Sequence, residues 1–289
     1  MFKKLIEKLL EKWLAKPLEK LARKLEKIEY TPFDTEDAPV VDGASKEPAP
    51  LSAADLQDAL YKYNLGLASC WGGSNASKRM MNILSPKMSD STFKERLKFM
   101  TDRGCTHAHV ILANGGDGEA AGYAAWKDSD RPKMMERLKA VKAAGLVPIP
   151  WIITDDSASL LKELFADPEA RVYCVSQFLD GAPYVVLGLE MDEAGGAANW
   201  AAVRNAVKKY YKGPIGVHHT SGNEFKFANL GDIILGQLDP GCTESQVKAQ
   251  IARIRALGKR SVGFEYARGP NRKLAQAALD AGAEGVGNW

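Results

Sequence analysis

From residue 65 to its last residue the chain alternates short apolar runs with amphipathic segments, and few folds accept such a rhythm. Eight runs can be counted: LGLASC (65–70), HAHVILA (107–113), LVPIPWII (146–153), YVVLGLE (184–190), PIGVHH (214–219), DIILGQL (232–238), SVGFEYA (261–267) and EGVGNW (284–289). The segments between them, such as STFKERLKFMTDRG, KMMERLKAVKAAG, AANWAAVRNAVKKYYKG, ESQVKAQIARIRALGK and RKLAQAALDAGA, have helical spacing, and several end in the Gly that suits a left-handed helix cap. Strand and helix alternating over eight units predict an α/β fold, a (β/α)8 TIM barrel over residues 52–289. A doubly wound open sheet would show a glycine-rich phosphate turn after its first strand. The segment WGGSNASKRMMNILSP, which follows the first run, has neither G-x-G-x-x-G nor Walker spacing. The eighth run reaches Trp289 with no helix after it, so a helix starting at Ser52 is expected either to cover that gap or to plug the barrel bottom.

Two segments precede the barrel. In residues 1–30, Phe2, Ile6, Leu9 and Trp13, then Leu18, Leu21, Leu25 and Ile28, repeat every three or four positions, with Pro17 at the change of phase. This predicts a kinked amphipathic helix. Its nine Lys/Arg and five Glu are too interspersed for a signal peptide or a membrane span. The expected partner of such a face is another protein or a second copy of the chain, with a membrane surface or the chain's own domain as alternatives. Residues 31–51 hold four prolines and no periodicity, and read as an extended linker. With 39 Lys+Arg against 36 Asp+Glu, nothing suggests a nucleic-acid partner. Four cysteines without a C-x-x-C pair, Cys70, Cys105, Cys174 and Cys242, read as free thiols of a reducing compartment. Synthesis in the cytoplasm, with assembly into a viral or other large particle, is the matching expectation for location.

Side-chain alternation then predicts which residues face the lumen. In the fourth run an outward row of Val185, Leu187 and Leu189 turns Val186, Gly188, Glu190 and Asp192 inward. In the seventh, an outward row of Val262, Phe264 and Tyr266 turns Ser261, Gly263 and Glu265 inward. Two carboxylates at the carboxyl ends of barrel strands stand where enzymes of this fold keep their chemistry, and such a pair can cleave a glycosidic bond. One can attack the anomeric carbon while the other protonates the leaving oxygen; a retaining mechanism requires the two carboxylates about 5–5.5 Å apart and an inverting one about 6.5–9.5 Å.

In these two glutamates the chain resembles the glycoside hydrolases whose barrels carry an acid/base Glu at the end of strand four and a nucleophile Glu at the end of strand seven. The resemblance covers roughly residues 64–289. It implies a retaining hydrolase with Glu190 as acid/base, Glu265 as nucleophile and Trp289 as an aromatic sugar platform. Those enzymes typically have Asn before the strand-four Glu; here that residue is Leu189. GLEMDE (188–193) is also faintly similar to the strand-four signature of chitinase-type barrels, though the register ends in Asp192, Glu193 and Ala194.

Trp71, Trp126 and Trp151 fall near strand ends, where rings can stack on sugars. Asn114, Asp192, His218, Gln237, Asp239 and Tyr266 are further candidates to bind a carbohydrate, with His219, Asp117, Asp155 and Asp156 behind them. HAH at 107–109 has the form of a metal pair, but it opens its strand and the eighth run supplies Asn288 rather than an acid, so core or bottom-face histidines are expected and neither metal nor cofactor. Two functions remain open: a hydrolase delivered by its first helix, or an inactive barrel of the same type that binds or builds within an assembly.

Overall fold

The computed structural model describes residues 83–102, 106–115, 122–154, 158–220, 222–223, 226–238, 242–264 and 272–286. The first apolar run, the expected N-terminal helix and the linker lie outside them, as do Trp71, Glu265, Tyr266, Asp239 and Trp289.

The other seven runs all become strands. β1 (His107–Ile111), β4 (Val147–Trp151), β5 (Val185–Val186), β6 (Ile215–His219), β7 (Ile233–Gln237), β8 (Arg260–Phe264) and β9 (Gly285–Val286) form one parallel sheet in the order β1-β4-β5-β6-β7-β8-β9. Each strand thus lies beside the next in sequence, as in a (β/α)8 barrel. Helices α1 (Asp90–Asp102), α2 (Arg131–Ala143), α3 (Ala158–Ala166), α4 (Pro168–Val175), α5 (Ala197–Tyr210), α6 (Glu244–Ala256) and α7 (Arg272–Asp280) supply the connections or precede them. The expected glycine caps are present after α2 and α6, where Gly145 and Gly258 have φ of 83° and 70°. Thr243 and Gln246 close a capping box at the start of α6.

The sheet separates two apolar layers. Toward the helices lie Ala108, Val110, Val185, Leu187, Ile215, Val217 and Ile234; within the curl lie Ile111, Ile149, Trp151, Tyr184, Val186, Leu189, Ile233, Leu235 and Val262. The alternation expected at Val185, Val186 and Leu187 holds. It fails at Leu189, which belongs to the inner layer, and at Gly188, where an added Cβ would stand 2.6 Å from Cη2 of Trp200 on α5. At Val262 and Gly263 of the seventh run the facing is the reverse of that expected. Val262 joins the inner layer beside Leu235, and Gly263 backs onto Ala278 of α7. An apolar lumen is the reason: both faces of the strand are buried, so apolarity does not tell them apart.

The second run also departs from the single strand expected of it. β1 stops at Ile111, and β2 (Ala113–Asn114) pairs antiparallel with β3 (Tyr123–Ala124). Before α1, residues 83–88 are held by Arg137 of α2, itself 1% exposed. Its guanidinium donates to the carbonyls of Ser85 and Met88, lies 3.1 Å from Asp90 and sits over the Phe93 ring at 5.2 Å. Replacing it by Met leaves buried carbonyls without donors, so Arg137→Met is expected to lower unfolding stability by about 2 kcal/mol. Urea denaturation measures this, and a loss below about 0.5 kcal/mol would mean that water replaces the guanidinium.

Candidate active site

β5 ends after Val186, and the chain then crosses the sheet's carboxyl end in a sequence of alternating attachments. The amide of Leu187 donates to Gly216 of β6, that of Leu189 to Ile153 beyond β4, and that of Met191 to His218 of β6. Between the last two stands Glu190, whose φ of 41° is the one positive value at a non-glycine among the described residues. A left-handed residue with a Cβ costs roughly 1–2 kcal/mol, so the surrounding bonds must impose it. The amide of Glu190 donates to Nδ1 of His218 at 3.0 Å, and its carbonyl accepts from Glu193 at 2.9 Å. Glu190 is half-buried at the mouth; alternation is already lost between Leu187 and Gly188, which both face the helices, so Leu189 points into the lumen.

Beneath Glu190 lies a row of rings drawn from three strands. His218 faces Trp151 with centroids 5.5 Å apart, and Trp151 meets His109 edge-on at 5.6 Å. The indole N–H of Trp151 donates to Nδ1 of His109 at 2.7 Å. In both histidines Nδ1 is therefore an acceptor and the proton of the neutral ring sits on Nε2. Burial pushes each imidazole pKa down to about 3; neighbouring histidines add to the effect, and Asp192 opposes it at His218. Both rings are neutral bases enclosed in the barrel.

Asp192 serves the loops. Its carboxylate accepts from the Thr220 amide at 2.9 Å, the Thr220 hydroxyl at 2.5 Å and Nδ2 of Asn223 at 2.9 Å, while its carbonyl accepts from Lys226 at 2.5 Å. Burial pushes this carboxyl up, but the Thr220 bonds outweigh it and hold it below the usual range.

The structure thus brings Glu190, Trp151, Asp192 and His218 together but gives several of them other work. Trp151, expected as a sugar platform, is 2% exposed and hydrogen-bonded within the lumen. Trp126 packs in the outer layer and donates to Glu163 at 3.0 Å. Asn114 is buried in the β2–β3 hairpin at 1% exposure rather than presented to a ligand. Asp192 is occupied by backbone and side-chain donors of the next loop. Gln237 stays on the inner side at the carboxyl end of β7 by alternation with Leu235, and is partly buried. His219 faces outward against Phe227 at 5.6 Å. The residue that sequence reasoning misses is His109, whose place near the start of its run suggests the barrel bottom and whose partner Trp151 lies 42 positions away. Inward parity on two adjacent strands is the signal that could have found it. Among the described residues no three His, Cys, Asp or Glu side chains converge as a metal site.

No protein-family model matches the sequence, and no curated protein matches it. Solved structures do share the fold. A GH113 β-1,4-mannanase superposes with a TM-score of 0.53 at 14% identity, over 79% of this chain and 88% of its own. The endo-1,4-β-mannanase of Eisenia fetida gives 0.53 at 11% identity, over 78% of this chain and 84% of its own. The GH113 β-mannanase of Alicyclobacillus acidocaldarius gives 0.52 at 10%, over 78% and 85%. The chain therefore has a glycoside-hydrolase-like TIM-barrel fold.

Proposed function

We propose that this barrel is a glycoside hydrolase whose acid/base is Glu190, acting with Glu265 as nucleophile on a β-1,4-linked polysaccharide of the mannan type. The observation that carries the reading is Glu190 itself. A half-buried carboxylate, in a left-handed conformation enforced by its neighbours, stands at the mouth of a barrel strand, where the fold concentrates catalysis. The mannanases of similar fold suggest the substrate class. In this reading Glu190 protonates the leaving oxygen and afterwards activates water, Glu265 forms the glycosyl-enzyme bond, and Gln237, Tyr266, Asp239, Trp71 and Trp289 line the sugar path. Residues 1–30 attach the barrel to a protein partner, a second copy or a particle.

A second reading has its own observation. Leu189 fills the place of the usual Asn with an apolar side chain turned into the lumen, while Trp151 is bonded to His109, His218 to the Glu190 amide and Asp192 to Thr220. A barrel so arranged would bind or build rather than cleave.

The test is hydrolysis of β-1,4-mannan and a panel of chromogenic glycosides by the full chain, Glu190→Gln and Glu265→Gln. Turnover is expected to fall at least about 100-fold in both variants. Binding of mannan without turnover, equal in all three proteins, would establish the second reading.

A further inference from the structure

In a regular strand, amides two residues apart point to the same neighbour, but those of Leu187 and Leu189 reach opposite ones, β6 and the residue beyond β4, so the strand pattern is already broken before Glu190. The next two amides depart from it in a second way. Glu190 and Met191 both donate to one residue, the first to the imidazole Nδ1 of His218 at 3.0 Å and the second to its carbonyl at 3.0 Å. A residue turned into the left-handed region between them swings two consecutive N–H groups to the same side, and Glu190 has that φ of 41°. The acceptor is well anchored: His218 is fully buried, lies within the ladder between β6 and β7 and has the Trp151 ring 5.5 Å from its own.

We infer that His218 is a positioning residue for Glu190: its Nδ1 and carbonyl clamp the turn that aims the carboxylate into the mouth. Nδ1, spent on the Glu190 amide, is not a contact for the sugar. The imidazole suits the task because it offers a fixed acceptor without a second proton, and burial keeps it so at neutral pH. This goes deeper into the hydrolase reading and rests on it only for the effect on turnover; the clamp is a property of the backbone.

The experiment compares the full chain with His218→Asn, whose side-chain oxygen can reach the Nδ1 position, and His218→Leu, which has no acceptor. With β-1,4-mannan, His218→Leu is expected to lower kcat about 100-fold with KM changed less than about twofold, and His218→Asn to recover to within about tenfold of the parent. Amide hydrogen exchange is read in parallel: protection at Glu190 should fall at least about tenfold in His218→Leu and persist in His218→Asn. Should the leucine variant not fold, nitrogen NMR of the unaltered protein decides, since Nδ1 of His218 must be unprotonated and Nε2 protonated from about pH 5 to 8. A protonated Nδ1, or equal protection at Glu190 in both variants, overturns the clamp. If mannan is not cleaved by the parent chain while the exchange pattern holds, the hydrolase reading fails and the clamp stands.

Discussion

Acidifying the protein from about pH 7.5 to pH 5 is expected to remove about 4 kcal/mol of unfolding stability, nearly all of it through two buried histidines. His109 and His218 have folded pKa values of about 3 against an ordinary value near 6.5. A depressed folded pKa means that the stability is fully present above about 6.5 and drains as the pH falls toward 3, because the unfolded chain takes up protons that the folded one refuses. Each ring contributes roughly 1.4 kcal/mol per pH unit across that window. Hydrogen bonding gives the same sign independently. Protonated at Nδ1, His109 would turn a donor toward the Trp151 N–H, and His218 would turn one toward the Glu190 amide. His107, lowered by burial, acts in the same sense, and Asp192 joins only below about pH 4. Urea midpoints at about pH 7.5, 6 and 5 measure the slope, which His218→Asn should roughly halve. A flat profile over that range would show that the rings charge in place.

Trp200→Ala is expected to cost about 3–5 kcal/mol and to loosen the Glu190 turn as well. The indole is fully buried, meets Phe165 edge-on at 5.1 Å and fills the space behind Gly188. Its N–H is shared between the carbonyls of Met191 at 3.1 Å and Ala194 at 2.6 Å, so the side chain braces the turn from the helix side. Truncation leaves a cavity and two carbonyls without their donor. Trp200→Phe keeps most of the volume and should cost about 1–3 kcal/mol, the share owed to the lost hydrogen bonds. Thermal and urea unfolding measure both. A loss under about 1 kcal/mol for the alanine variant would mean that the loop collapses onto the vacated space and the brace is dispensable.

How much of this architecture is legible in the sequence depends on how local the physics is. Seven of the apolar runs are strands in the expected order, because parallel strands buried on both faces must be short and apolar, and their helices must be amphipathic. Side-chain facing is legible only in part. At Val185, Val186 and Leu187 the expected facing holds although both faces are apolar; at Val262 it does not, and Gly263, expected to open into the lumen, instead admits α7 at Ala278. At Glu190 no spacing rule can succeed, since the left-handed conformation comes with bonds to His218, 28 positions later. The row of His109, Trp151 and His218 is hidden for the same reason, each ring coming from a different strand.

The binding of Asp192 to Thr220, Asn223 and Lys226 has a consequence for anyone who recombines barrels of this kind. The segment after β5 and the segment after β6 are one exchangeable part, not two. A chimera that imports either alone would bring in a carboxylate without its donors, or donors without their carboxylate, and would inherit an opened mouth from a parent in which both were closed.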